Sequence, residues 1–341
     1  MIEIIDHKSH IEPPVILSVV VPVYNEQEVL PAFHSRLTRV LDKLSENCEI
    51  IYIDDGSHDN SREIIESAPG SSSPVKYLCL SRNFGKEAAM SAGLKQSRGV
   101  AVVVIDADLQ DPPELIPSML KRWREGYDVV NMQRSSRAGE SFFKRFSAAC
   151  FYKLLNGMSE LNISENVGDF RLLSREVVDR INELPERNRY MKGIFAWPGY
   201  KQTSIQFERD ARYLGETKWN YFKLFGLAMD GISSFSIRPL RIATVLGSLI
   251  ALGAFGFSMF IVGKTLLFGE AVDGYPSMIV VQLALGGVQL LSIGLLGEYI
   301  GRIFIESKQR PLYLIQEVVE KPAVFSKRTG SDKLIRLEDI A

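Results

Sequence analysis

The chain has 341 residues, 46% of them hydrophobic and 24% charged, with 40 basic side chains against 41 acidic for a net charge of -1. That length suits about two domains, and the near-zero balance (pI ≈ 6.5) excludes the basic excess of a dedicated nucleic-acid binder. Cys48, Cys79 and Cys150 are widely spaced with no CxxC pair, which excludes a disulfide framework or a zinc knuckle and fits a reducing compartment.

Residues 1–14 read as a mobile, mixed-charge tail. The early apolar run 15–23 is short, contains Pro22 and follows acidic residues, so it is no secretory signal. From residue 15 to 218 the pattern predicts one α/β domain. Val/Ile-rich strands are expected at 16–23, 49–53, 75–80, 100–105 and 127–132, with helices near 26–46, 59–67, 86–97 and 113–125. Continuous apolar strands separated by helices indicate a parallel sheet covered on both faces, whose ligands sit beyond the carboxyl ends of the strands.

The residues at those ends are Pro22-Val23-Tyr24-Asn25-Glu26, Asp54-Asp55-Gly56-Ser57 and Asp106-Ala107-Asp108-Leu109-Gln110-Asp111-Pro112-Pro113. Neither GxGxxG nor GxxxxGK[ST] occurs, so a dinucleotide fold and a P-loop are unsupported. One Asp could cap the following helix, and Asp111 before two prolines suits that role. Three acids within six residues exceed the needs of a cap. Carboxylates this close repel unless a cation shares them, and a hard divalent ion bridging them to a diphosphate is the natural partner.

Further along, 141–155 and 219–232 carry Phe, Trp and Met at helical spacing with lysines off that face. Core packing explains 141–155 equally well. For 219–232 an amphipathic helix in the headgroup layer, over 219–237, is the better reading. Residues 242–263 and 274–297 are then free of charge over 22 and 24 positions. About 33 Å of helix from 22 residues spans a hydrocarbon core of about 30 Å. This predicts a transmembrane hairpin within 238–300, with spans at about 242–263 and 275–297. Arg238 and Arg241 before it, and Arg302, Lys308 and Arg310 after it, put both ends in the cytoplasm by the positive-inside rule. Residues 301–341 are expected to be a cytoplasmic segment that becomes a mobile tail from about 320.

Asp106-Ala107-Asp108 resembles the DXD motif of nucleotide-sugar glycosyltransferases with the GT-A fold. Together with VVPVYNE, IDDGS and DADLQDPPE it resembles the polyprenyl-phosphate glycosyltransferases, which include dolichyl-phosphate mannose synthases. SRNFGKEAA, ENVGDFRLLSR, ERNRYMKGIFAW, SFSIRPLR and LGEYIGR are most similar to the bactoprenol (undecaprenyl-phosphate) glucosyltransferases of O-antigen modification, and the likeness spans roughly 16–315. The resemblance implies that Asp108 and Gln110 hold Mg2+ or Mn2+, and that Asp106 and Ala107 support the nucleotide sugar. It implies that Pro22, Tyr24, Glu26, Ile53 and Asp55 cradle the base and ribose. Arg134, Arg171, Arg212 and Lys218 would meet phosphate groups. Asp169 would act as a catalytic base or as an orienting group, the bland alternative being a helix N-cap before Phe170.

The expected activity is inverting transfer of glucose from UDP-glucose to undecaprenyl phosphate on the cytoplasmic leaflet of a bacterial inner membrane, with a homo-oligomer left open. Glucose rests on the resemblance alone, so mannose, N-acetylgalactosamine or a formylated aminoarabinose stay open, as does a non-catalytic nucleotide-sugar sensor. The retained Asp106, Asp108, Gln110 and Asp169 count against the sensor. A processive synthase would need more spans and a QxxRW motif, and the sequence has neither.

Overall fold

The computed structural model describes residues 14–69, 71–135, 167–187, 189, 191–208 and 274–323, with scattered positions between 245 and 267. The first half alternates strand and helix as the apolar runs require. It comprises β1 (Leu17–Val23), α1 (Leu30–Leu41), β2 (Cys48–Asp54), α2 (Ser61–Ser67), β3 (Val75–Leu80), α3 (Lys86–Gln96), β4 (Ala101–Val104), α4 (Ile116–Arg124) and β5 (Val129–Arg134). A 3₁₀ turn, Pro113–Leu115, leads into α4. After these come β6 (Val167–Ser174), α5 (Arg175–Glu183), α6 (Met191–Ala196), β7 (Gln202–Phe207), α7 (Tyr275–Ser307) and β8 (Ile315–Lys321).

The eight strands form one sheet in the order β7-β5-β6-β4-β1-β2-β3-β8. Pairings β1–β2, β1–β4, β2–β3 and β5–β7 are parallel, while β6 runs antiparallel to β4 and β5, and β8 antiparallel to β3. β1 and β2 are buried over nearly their whole length, as strands covered on both faces must be. On one side Val19, Val21 and Tyr52 pack with Phe33 and Leu37 of α1 and Met119 of α4. On the other, Val20, Ile51, Val102 and Val104 pack with Ala89 and Met90 of α3, Val177 and Ile181 of α5, and Phe195 of α6.

Four features differ from the sequence reading. Helix α1 starts at Leu30 rather than near 26, because residues 24–29 form the loop leaving β1, with Asn25 in the left-handed region (φ 54°). The N-cap of the 3₁₀ turn is Pro112, one residue past the expected Asp111. Asp169 lies inside β6, so it is no helix cap. The expected C-terminal segment contributes β8, an edge strand that reaches the expected start of the tail. Arg62 pairs with its Glu317 (2.5 Å), Lys76 with its Glu320 (2.7 Å), and Lys321 Nζ donates to Ile65 O (3.0 Å).

Helix α7 continues to Ser307, ten residues past the expected end of the second span. At 1.5 Å per residue its 33 residues extend about 50 Å. Leu285–Ser307 is the one helix among the described residues long and apolar enough, by length and composition, to cross a membrane. Leu290, Ile293, Ile300 and Ile303 are each more than 60% exposed. The first expected span and the segments 141–155 and 219–232 fall wholly or mostly outside the described residues, so these do not establish a two-span hairpin.

Candidate active site

Strand order reverses between β1 and β4, and the crevice beyond their carboxyl ends is where a doubly wound sheet binds ligand. The loops leaving β1 and β2 are tied to each other there. Asn25 N–H donates to Ser57 Oγ (3.0 Å) and Asn25 Oδ1 accepts from His58 N–H (2.9 Å). Glu26 N–H donates to Ser61 Oγ (2.9 Å), and Gln27 and Asn60 exchange bonds with the opposite loop. Tyr24, 41% exposed, stands at the mouth of this double loop.

A third loop, after β3, packs onto the second. Asp55 is buried, and its two oxygens accept from Phe84 N–H (2.7 Å) and Gly85 N–H (2.8 Å). Burial pushes its carboxyl up, and these two N–H groups pull the other way. Gly56 has φ +68°, and a Cβ there would lie 2.5 Å from the carbonyl carbon of Arg82. Only glycine permits both that conformation and that approach. The contact delivers the start of α3 to the sheet edge, and the first residue of α3 is Lys86.

β6 enters the sheet from the same edge because it runs antiparallel to β4. Extending the Val104–Arg171 pairing by two residues on each strand sets Asp106 opposite Asp169. Alternation turns both toward the α3 side, and Lys86 lies between them. Its ammonium is 2.6 and 2.8 Å from the two Asp106 oxygens and 2.5 Å from Asp169 Oδ2. Burial works against the lysine charge, but the two carboxylates outweigh it and hold the group above the ordinary lysine range. Burial, reinforced by Asp169 and Asp108, pushes the Asp106 carboxyl up against the pull of Lys86.

Asp108 and Gln110 follow on a strained turn. Leu109 takes φ 60° with its side chain buried, and Asp108 Oδ1 accepts from Gln110 N–H (3.1 Å). A γ-branched residue in the left-handed region is held there by its packing. Among the described residues no group of three or more His, Cys, Asp and Glu converges with metal-holding geometry. The donor set nevertheless fits a hard divalent ion that keeps water and phosphate ligands. Asp106 Oδ1 is buried and faces the Lys86 ammonium (2.6 Å), and Asp108 and Gln110 beside it offer carboxylate and amide oxygens.

Residues 18–181 match the family described as glycosyl transferase family 2. An uncharacterised glycosyltransferase of Synechocystis sp. is 50% identical over 302 residues, 89% of this chain and 95% of its own. The chain belongs to glycosyl transferase family 2. Bactoprenol glucosyl transferase of Shigella phage SfV is 47% identical over 89% of this chain and 99% of its own. The sheet also overlays in part on glucosyl-3-phosphoglycerate synthase of Mycobacterium tuberculosis, solved with Mn2+, UDP-glucose and phosphoglyceric acid. That match has a TM-score of 0.42 and 19% identity, over 64% of this chain and 78% of the other.

In this family 2 glycosyltransferase of GT-A fold, the crevice brings together Tyr24, Glu26, Asp55, Asp106, Asp108, Gln110 and Asp169. Pro22 sits on β1 opposite Ile53. Arg134 on β5 borders the same edge, since a Cβ on Gly168 would lie 3.7 Å from its Nη2. Three of the expected positions carry buried side chains. Ile53 is fully buried under α3. Ala107 is buried in the opposite core, so its side chain lines nothing open. Arg171 is buried, with Nη2 donating to Gly168 O (2.6 Å) and its guanidinium 4.0 Å above the Phe195 ring. Burial pushes Arg171 down to about 10, against the pull of Asp169 and Glu87. Arg212 and Lys218 lie outside the described residues. Lys86 is the site residue the sequence reading passed over. Its signal was a cation at the start of a predicted helix, where the macrodipole disfavours one.

Proposed function

We propose that the chain transfers glucose, with inversion, from UDP-glucose to undecaprenyl phosphate at the cytoplasmic face of a bacterial inner membrane. The observation that carries this reading is the closure of Asp106 and Asp169 on Lys86 at the sheet's switch point, with Asp108 two residues after Asp106, in a chain whose relatives include bactoprenol glucosyl transferases. The length and exposed apolar surface of α7 support a lipid-borne acceptor.

In this reading Tyr24, Glu26 and Asp55 hold the nucleoside, with Asp55 oriented by the loop that carries Lys86. Asp108 and Gln110 would hold Mg2+ or Mn2+, which supplies neutralising charge to the departing diphosphate. Arg134 is placed to add positive charge on the same side. The acceptor phosphate, with a second pKa of about 6 if it behaves like phosphoserine, is already anionic at neutral pH. It needs no proton removed, so Asp169 orients groups in the crevice instead of acting as a base. In-line attack on the anomeric carbon then inverts it. The test is incubation of the purified chain with undecaprenyl phosphate and separately labelled UDP-glucose, UDP-N-acetylgalactosamine and GDP-mannose. Lipid-linked label from UDP-glucose alone, with the configuration inverted, is expected. Label from another donor, or none from any, refutes the assignment.

A further inference from the structure

Lys86 occupies a position that local helix energetics oppose. The N-terminus of a helix carries partial positive charge and favours acids, yet α3 opens on a lysine. Three contacts hold it there. Asp55 accepts the N–H groups of Phe84 and Gly85, and Gly56 lets the Arg82–Asn83 backbone pack against it. Asp106 and Asp169, from two different strands, close on its ammonium. The cation that lets these carboxylates approach is thus part of the chain. Two ionised carboxylates on one small centre repel strongly unless a cation separates them.

We propose that Lys86 is a positioning residue that serves as the resident cation of the crevice, assembling Asp106 and Asp169 before donor arrives and making divalent-ion binding wait for the nucleotide diphosphate. This rests on the metal-assisted reading above. With Lys86 in place, one ammonium offsets part of the charge of Asp106 and Asp169, and the donors of the metal reading are Asp108 and Gln110. Two protein ligands are too few for a hard divalent ion, which is completed by substrate phosphate and water. Metal and nucleotide therefore enter as one unit. Without Lys86 the negative charge of Asp106 and Asp169 is no longer offset, and that charge attracts a divalent ion with no nucleotide present.

The experiment uses the full chain in detergent and counts free Mn2+ by electron paramagnetic resonance, with and without UDP. Wild type is expected to bind Mn2+ weakly alone and at least about tenfold more tightly with UDP. Lys86→Met should bind Mn2+ without UDP at least about tenfold more tightly than wild type, because a unit positive charge has left the cluster. Lys86→Arg keeps the charge and should resemble wild type. Tight Mn2+ binding by wild type without UDP overturns the proposal even if no variant folds. So does a folded Lys86→Met, judged by a cooperative melting transition, that gains no Mn2+ affinity. In that second case Mn2+ binding by wild type with UDP leaves the metal reading standing. Absence of Mn2+ binding to wild type with UDP removes the metal reading and the proposal together.

Discussion

Replacing Gly56 by alanine tests whether the loop leaving β2 sets the position of Lys86. The added Cβ would lie 2.5 Å from Arg82 C, 2.7 Å from Asn83 N and 2.9 Å from Arg82 Cα, all backbone atoms that no rotamer change can move aside. The positive φ adds about 1–2 kcal/mol for an L-residue, and forcing a well-packed contact apart costs roughly 1–3 kcal/mol. Together these predict a loss of about 2–5 kcal/mol, or roughly 4–20 °C in Tm for a domain of this size. Gly126 has φ +86° and a Cβ there would meet nothing within 4 Å, so its alanine variant isolates the conformational part. Its loss should be about 1 kcal/mol. Displacing Arg82 and Asn83 also shifts Lys86, so kcat of Gly56→Ala should fall about tenfold or more at temperatures where it is fully folded. Urea unfolding by tryptophan fluorescence and steady-state kcat on both variants decide the matter. Equal destabilisation of the two, or wild-type kcat in Gly56→Ala, refutes the packing argument.

Asp108→Asn should abolish most activity together with its divalent-ion dependence, and near-wild-type turnover in chelator would exclude Asp108 as a ligand. Asp169→Asn should lower kcat severely while nucleotide affinity stays nearly constant, and its residual rate should keep the wild-type acidic limb. Below about pH 6 the acceptor phosphate dianion takes up a proton and the rate falls in both proteins. Loss of that limb in the variant would make Asp169 the titrating base. A cysteine placed within residues 266–273, between the two expected spans, should react with an impermeant reagent from outside the cell, and one at His58 should not. Labelling of both from one side contradicts the hairpin. Arg171→Met should destabilise by about 3 kcal/mol or more, since it removes a buried guanidinium that offsets the charges of Asp169 and Glu87. A change under about 1 kcal/mol in urea unfolding would show that the guanidinium is dispensable there.

The parallel half of the sheet was legible because β1 to β4 (LSVVVPV, CEIIYID, VKYLCL, AVVV) are largely apolar runs, a pattern that burial on both faces explains. The other strands were not. β6 carries Asp169 and Arg171 on one face, and that polar pair hides its alternation. β7 (QTSIQF) and β8 (IQEVVEK) are edge strands whose polar and charged residues mask them, as edges commonly require. At the site the acids were legible from their position after strands. Their arrangement was not, since Asp106 meets Asp169 only through the antiparallel pairing of β4 with β6. Ile53 and Asp55 show the limit of reading motifs by neighbourhood. The two are separated by one residue, yet one is core and the other pins a loop.

β8 lies after α7 in the chain, and this fixes an order of events during synthesis. The ribosome releases β1 to β7 first, and the free edge of β3 stays open while the apolar α7 is made. Only when Ile315–Lys321 has emerged can Lys76 and Arg62 find Glu320 and Glu317. An unpaired edge of Val75, Tyr77 and Cys79 is a template for unwanted strand addition, so the nascent domain is most exposed to misassembly while its apolar helix is being delivered. The last strand seals the sheet, and a chain truncated before Leu314 would keep the open edge for good.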